Sequence, residues 1–171
     1  LGAQRVRGDL VGAYTEQGTM DREIDAAASD GVSFFQMLWY WQGNDPSTRE
    51  AHQQKLNVAI EQFIHSPNAA KMKFTIEYVN HPPFGITTES DWEQACRAWC
   101  PIMKHPSYLR IDDRPVFKIH GLSYFEQQCG GIPQAAARVA TLRRIARESG
   151  LRDPLISSGI TTGPMPSAAR A

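Results

Sequence analysis

Segments with the apolar pattern of β-strands recur about every forty residues along this chain. They are centred near Leu38, Ile76, Phe117 and Ser157, and a segment with helical apolar periodicity separates each from the next. Parallel strands need a crossover connection of a dozen or more residues, which is usually an α-helix. The repeat therefore predicts an α/β fold with a parallel sheet.

Two architectures accommodate the predicted strands, which lie at residues 10–14, 32–41, 71–79, 114–121 and 154–160. A doubly wound sheet would be complete within this length and would bind a ligand where the strand order reverses. A (β/α)8 barrel needs roughly 250 residues, so residues 1–171 would form a single, truncated barrel domain containing its first five strands. No Gly-rich phosphate-binding motif follows any strand, which favours the partial barrel.

Capping residues predict where the intervening helices begin. Thr19 is expected to cap the first helix, and a Ser-x-x-Glu pattern predicts helix starts at Ser47 and at Ser90. The last helix is predicted over residues 134–149, because Gly150 follows it directly.

The cysteines predict no metal site. Cys96 and Cys100 lie on the apolar stripe of the helix after Ser90, so both are expected to be reduced and buried beneath the sheet. Zinc binding with His105 is disfavoured because no second pair of ligands has finger-like spacing. Three free thiols also favour a reducing compartment.

The charge balance argues against two classes of partner. Lys and Arg total 18, as do Asp and Glu, so no global field attracts nucleic acid or an anionic membrane. No apolar run is long enough to span a bilayer, and no cofactor-binding motif is present. The composition leaves the location open, and a cytoplasm and a periplasm are both compatible with it.

One predicted strand carries an acidic residue near its C-terminal end. Polar side chains alternate with apolar ones along residues 71–79 as far as Glu77, and an Asn-His-Pro-Pro loop follows. Active sites of α/β folds collect at the C-terminal ends of strands and in the loops after them. Glu77 is therefore the candidate catalytic residue, and Asn80 and His81 are candidate substrate contacts.

Strand alternation predicts which side chains join Glu77. Lys118 and His120 share one face of the strand at residues 114–121, and this face is expected to be the one that carries Glu77. In a barrel this face is the interior, and its upper layer opens onto the active site. An ion pair between Glu77 and Lys118 with no catalytic role is the structural alternative.

Three consecutive aromatic residues close the strand at residues 32–41. Trp39, Tyr40 and Trp41 are predicted to lie above the pocket, where their apolar ring faces suit the C–H side of a sugar. Packing at the rim of the sheet is the alternative interpretation.

Residues 105–121, HPSYLRIDDRPVFKIHG, resemble a segment of the family 99 glycoside hydrolases, the endo-α-mannosidases, and of the related WbsX-like proteins. Relatives of the latter kind are often described as glycosyltransferases of polysaccharide synthesis. Residues 20–41 are similar to the family's helix that leads into a strand ending Trp-Tyr. KFTIEYVNH resembles the hydrolases' Phe-His-Ile-Glu-Pro-Tyr strand or the WbsX-like strand ending Trp-Ala-Asn-Glu-Asn. The similarity runs in order from about residue 11 to residue 160.

This resemblance implies an incomplete (β/α)8 barrel that breaks or makes glycosidic bonds in a bacterial or mannose-type oligosaccharide or polysaccharide, without a cofactor. It places Glu77 in the sugar-binding pocket but implies no role as acid or base. Tyr78 and His81 depart from the family patterns, and the family's paired catalytic carboxylates belong to a later Trp-x-Glu segment with no counterpart here. A non-catalytic carbohydrate-binding module and a small-molecule binder with a doubly wound sheet are the alternative functions.

Overall fold

The structure is a computed structural model that describes residues 16–41 and 56–159. In chain order the elements are α1 (Gln17–Ser29), β1 (Phe34–Tyr40), α2 (Val58–His65), β2 (Lys73–Val79), α3 (Glu89–Met103), β3 (Arg110–Ile111), β4 (Arg114–Gly121), α4 (Leu122–Cys129), α5 (Ile132–Glu148) and β5 (Leu155–Gly159). The strand predicted at residues 10–14 and the helix start predicted at Ser47 lie outside the described residues.

Four strands form a parallel sheet whose spatial order follows the chain. β1 pairs with β2, β2 with β4, and β4 with β5, all in parallel. The two-residue β3 adds an antiparallel pairing to the start of β4. The predicted α/β class and parallel sheet are therefore confirmed. Among the described strands the order does not reverse, which is consistent with part of a barrel wall.

The five described helices pack on one face of this sheet. Each of them contributes buried side chains to one apolar cluster, together with alternate residues of β1, β2 and β4. The other face is open at β1, where Phe34 and Leu38 are 43% and 42% exposed. A doubly wound sheet would have helices over both faces.

Trp99 of α3 joins three neighbouring strands. Its fully buried ring lies 5.1 Å from Trp39 of β1, 5.6 Å from Tyr78 of β2 and 4.6 Å from Phe117 of β4, measured between ring centroids. Aromatic pairs at such separations stabilise the fold beyond the burial of their area. One side chain of α3 is therefore in contact with three strands of the sheet.

Two predicted helix starts are wrong. Helix α1 begins at Gln17, so Thr19 lies within its first turn, where it is 2% exposed. Helix α3 is capped by Thr88, whose hydroxyl oxygen accepts from the backbone N–H of Asp91 at 3.1 Å and donates to the Asp91 carboxylate at 2.9 Å. Thr88 is therefore the N-cap of α3, the position predicted for Ser90.

The thiols of α3 are buried as predicted. Cys96 and Cys100 are free, with 0% and 3% exposure. Burial raises the pKa of Cys96. Cys129, at the end of α4, is partly exposed, and burial also raises its pKa. Helix α4 itself was not predicted from the sequence.

Replacing Thr88 by alanine should lower the free energy of unfolding by about 1 kcal/mol, because the cap of α3 is lost. Ser90→Ala is the matched control. Ser90 is exposed and does not cap the helix, so its loss should change stability by less than about 0.5 kcal/mol. Urea denaturation of both variants measures the difference, and a larger loss for Ser90→Ala would contradict the observed cap.

The thiol reagent DTNB should react slowly with the native protein at about pH 8, because a raised thiol pKa leaves little reactive thiolate. Cys129 should react first and Cys96 and Cys100 only after denaturant is added. Peptide mapping of the labelled protein checks this order. Fast labelling of Cys96 in the folded protein would contradict its burial.

Candidate functional site

Glu77 lies near the C-terminal end of β2, on the face that the described helices do not cover. The sheet register pairs Glu77 with Leu38 of β1 on one side and with Lys118 of β4 on the other. Residues in register on adjacent parallel strands project to the same face, and His120 lies one alternation further along β4. The register therefore brings Glu77, Lys118 and His120 together.

Three donors converge on the Glu77 carboxylate. His120 Nδ1 lies 2.7 Å from Glu77 Oε1, and Lys118 Nζ lies 3.3 Å from the same oxygen. The side-chain amide of Gln36, from β1, donates to Glu77 Oε2. We refer to Gln36, Glu77, Lys118 and His120 as the Glu77 cluster. The predicted convergence of Glu77, Lys118 and His120 is confirmed.

Burial differs sharply within the Glu77 cluster. The Glu77 side chain is only 4% exposed, whereas Lys118 is 26% and His120 is 40% exposed. A buried carboxylate is costly unless it is paired and hydrogen-bonded, and here both oxygens have donors. The ammonium of Lys118 and the imidazole of His120 are thus partly exposed to solvent. The buried carboxylate of Glu77 fixes the position of both groups.

A row of rings borders the Glu77 cluster. The His81 ring centroid lies 5.6 Å from that of His120 and 5.6 Å from that of Phe84, and Phe84 lies 4.9 Å from Tyr40. His81 Nδ1 is also 2.8 Å from the carbonyl oxygen of Pro82, in the loop after β2. The predicted site residues His81 and Tyr40 therefore lie beside the cluster.

Trp39 and Trp41 do not share this face, and their predicted position above the pocket is wrong. Side chains of a strand alternate, so only the middle one of the three aromatics, Tyr40, projects with Glu77. Trp39 is 4% exposed and stacks on Trp41, which is 3% exposed, with 5.9 Å between ring centroids. Both belong to the apolar cluster beneath the helices.

Asn80 does not face a ligand either. It is fully buried, and its side chain donates to the Gly121 carbonyl at 2.7 Å and accepts from the Gly121 N–H at 2.8 Å. These two bonds extend the pairing of β2 and β4 beyond the last residue of β2. The predicted substrate contact is therefore corrected to a structural role, since both polar ends of the side chain are engaged within the protein.

Gln36 and Phe84 belong to the site but were not predicted. Gln36 is a polar side chain in an otherwise apolar strand, and this signal could have indicated a partner for Glu77. Phe84 follows two prolines, and no periodicity indicates the direction of its ring.

Two further observations concern the described residues only. Within residues 16–41 and 56–159, no group of three or more His, Cys, Asp and Glu side chains is placed to hold a metal ion. No helix in the same ranges is both long and apolar enough to cross a membrane.

Glu77→Gln should lower the free energy of unfolding by about 1–3 kcal/mol, because the ion pair with Lys118 is lost and His120 no longer has a charged acceptor. The loss should stay below the roughly 3–5 kcal/mol of a fully buried pair, since both partners reach water. Glu93→Gln is the control, because Glu93 is paired with Arg97 and Arg144 on the surface and should cost less than about 1 kcal/mol. Urea denaturation of both variants measures the two free energies of unfolding. Equal losses of stability would contradict the role of the Glu77 carboxylate as the centre of the cluster.

Comparison with known proteins gave no match to a protein-family model, to a curated protein or to a solved structure. The resemblance to family 99 hydrolases and WbsX-like proteins therefore stays a prediction that rests on the residues quoted for it.

Proposed function

We propose that this chain is part of a glycan-active protein, a glycoside hydrolase acting on bacterial or mannose-type oligosaccharides or polysaccharides. The observation that carries the proposal is the position of the Glu77 cluster. It lies at the C-terminal ends of β2 and β4, on the sheet face that the described helices leave uncovered. In parallel α/β barrels this is where substrates bind. The sequence resemblance supports the same substrate class.

The chemistry of the Glu77 cluster suits a sugar. Lys118 carries an ammonium with three N–H donors, of which Glu77 takes one, so donors remain for sugar hydroxyls. Tyr40 and Phe84 offer ring faces at the border of the cluster for the apolar C–H side of a sugar. The site therefore combines a charged donor for sugar hydroxyls with apolar ring faces for the C–H side of the sugar.

A non-catalytic carbohydrate-binding module is the second candidate, and one observation favours it. Glu77 is the only Asp or Glu in the five described strands, whereas cleavage of a glycosidic bond usually needs two carboxyl groups. A binding module needs only the donors and rings of the site. The two candidates differ in whether the bound glycan is converted to product.

Lys118→Met should weaken binding of mannose-type oligosaccharides about 10- to 100-fold, because a charged hydrogen bond to a ligand hydroxyl is lost. Lys73→Met is the matched control. Lys73 is an exposed lysine at the opposite end of the same sheet face, where its ammonium bonds to the carbonyl of Pro106. Isothermal titration calorimetry against a panel of mannose-type oligosaccharides and bacterial polysaccharides measures the affinities.

The outcomes separate the candidates. Binding that Lys118→Met weakens and Lys73→Met preserves, with release of new reducing ends, supports the hydrolase. The same binding pattern without product supports the binding module. No measurable affinity for any glycan of the panel, or equal losses in both variants, would overturn the proposed site.

A further inference from the structure

The Glu77 carboxylate is poorly placed to exchange a proton with a substrate. Its side chain is 4% exposed, Oε1 faces both His120 and Lys118, and Oε2 accepts from Gln36. A general acid or base must come within hydrogen-bond reach of the group it protonates or deprotonates. Donors of the protein itself occupy the positions around Glu77 from which a substrate would have to approach.

His120 has the opposite properties. Its Nδ1 lies 2.7 Å from Glu77 Oε1, and its side chain is 40% exposed. An ionised carboxylate can only accept, so a neutral His120 must carry its proton on Nδ1, and Nε2 then keeps a lone pair. Among the described residues, none forms a hydrogen bond to His120 Nε2.

We propose that His120 Nε2 is the proton-transfer atom of this site and that Glu77 is its positioning residue. His120 takes a proton from the water that attacks the anomeric carbon: an O–H bond breaks as an Nε2–H bond forms, and the water oxygen uses its electron pair to form the new C–O bond. The glycosidic C–O bond breaks with its electron pair on the leaving oxygen, which takes a proton from solvent. The imidazolium that results is stabilised by the carboxylate at Nδ1 and then releases its proton to solvent. A carboxylate that fixes the tautomer and orientation of a catalytic histidine is a recurrent arrangement in hydrolytic enzymes.

Lys118 has a separate task in this arrangement. Its ammonium lies 3.3 Å from the oxygen that also faces His120, so it forms an ion pair with the carboxylate beside the histidine. It does not itself determine which nitrogen of His120 carries the proton. This difference provides a control.

The tautomer of His120 is the direct test. Two-bond 1H–15N correlation spectra at about pH 8.5, well above the usual imidazole pKa of about 6.5, distinguish a protonated ring nitrogen from one with a lone pair. We expect the proton of His120 on Nδ1 in the wild type and in Lys118→Met, and a mixture of tautomers in Glu77→Ala. Glu77→Gln should keep the wild-type pattern, because the Gln36 amide can turn and let the new carbonyl face His120. A proton on Nε2 in the wild type, or no change in Glu77→Ala, would overturn the proposal.

A second measurement applies if Glu77→Ala does not fold. Diethyl pyrocarbonate acylates neutral imidazole nitrogens, and the exposed His65 serves as an internal reference in the same molecule. Loss of the negative charge in Glu77→Gln should slow modification of His120 several-fold relative to His65, as measured by mass spectrometry of peptides. An unchanged ratio would overturn the positioning role of Glu77.

The inference rests on the proposed function only for the identity of the substrate. Given a glycan that is turned over, His120→Gln should lower kcat about 10²- to 10⁴-fold with a small change in KM. The expected tautomer without any glycan binding would overturn the proposed function alone. Glycan turnover that survives His120→Gln would overturn this inference alone.

Discussion

The contact of Trp99 with three strands is the interaction on which the rest of the structure depends. One indole ring, fully buried, packs against aromatic side chains of β1, β2 and β4. Because alternate residues of each strand project to opposite faces, these contacts also fix the register of the polar residues behind them. A slip of one residue in β2 would place Glu77 in the apolar layer and remove it from Lys118 and His120.

Much of the fold could be predicted because its signals are local. Short apolar segments at a regular spacing located the four described parallel strands, and the helices predicted between them favoured a parallel sheet. Helix starts were less predictable, since Thr87, Thr88 and Ser90 all lie at the start of α3 and the sequence does not show which of them is the cap. Thr88 caps α3 because its hydroxyl and the Asp91 backbone meet, although Ser90 with Glu93 has the stronger pattern in the sequence.

The site could be predicted in part, and the errors have two causes. Glu77, Lys118 and His120 were placed correctly because parity along two adjacent strands determines their face. Trp39 and Trp41 were misplaced because proximity in sequence was taken for proximity in space. Asn80 was misassigned because no sequence pattern shows that both ends of its amide bind a backbone of the protein.

The amide of Asn80 has a consequence for how the loop after β2 can change. Its donor and acceptor replace the main-chain pairing with Gly121 that a longer strand would have formed. The backbone after residue 80 therefore leaves the sheet. The pairing of β2 with β4 does not depend on which residues form the loop that follows. Insertions or replacements in the loop that carries His81 and Phe84 can therefore change the border of the Glu77 cluster while the sheet beneath stays intact. The junction thus separates variation of this loop from maintenance of the scaffold.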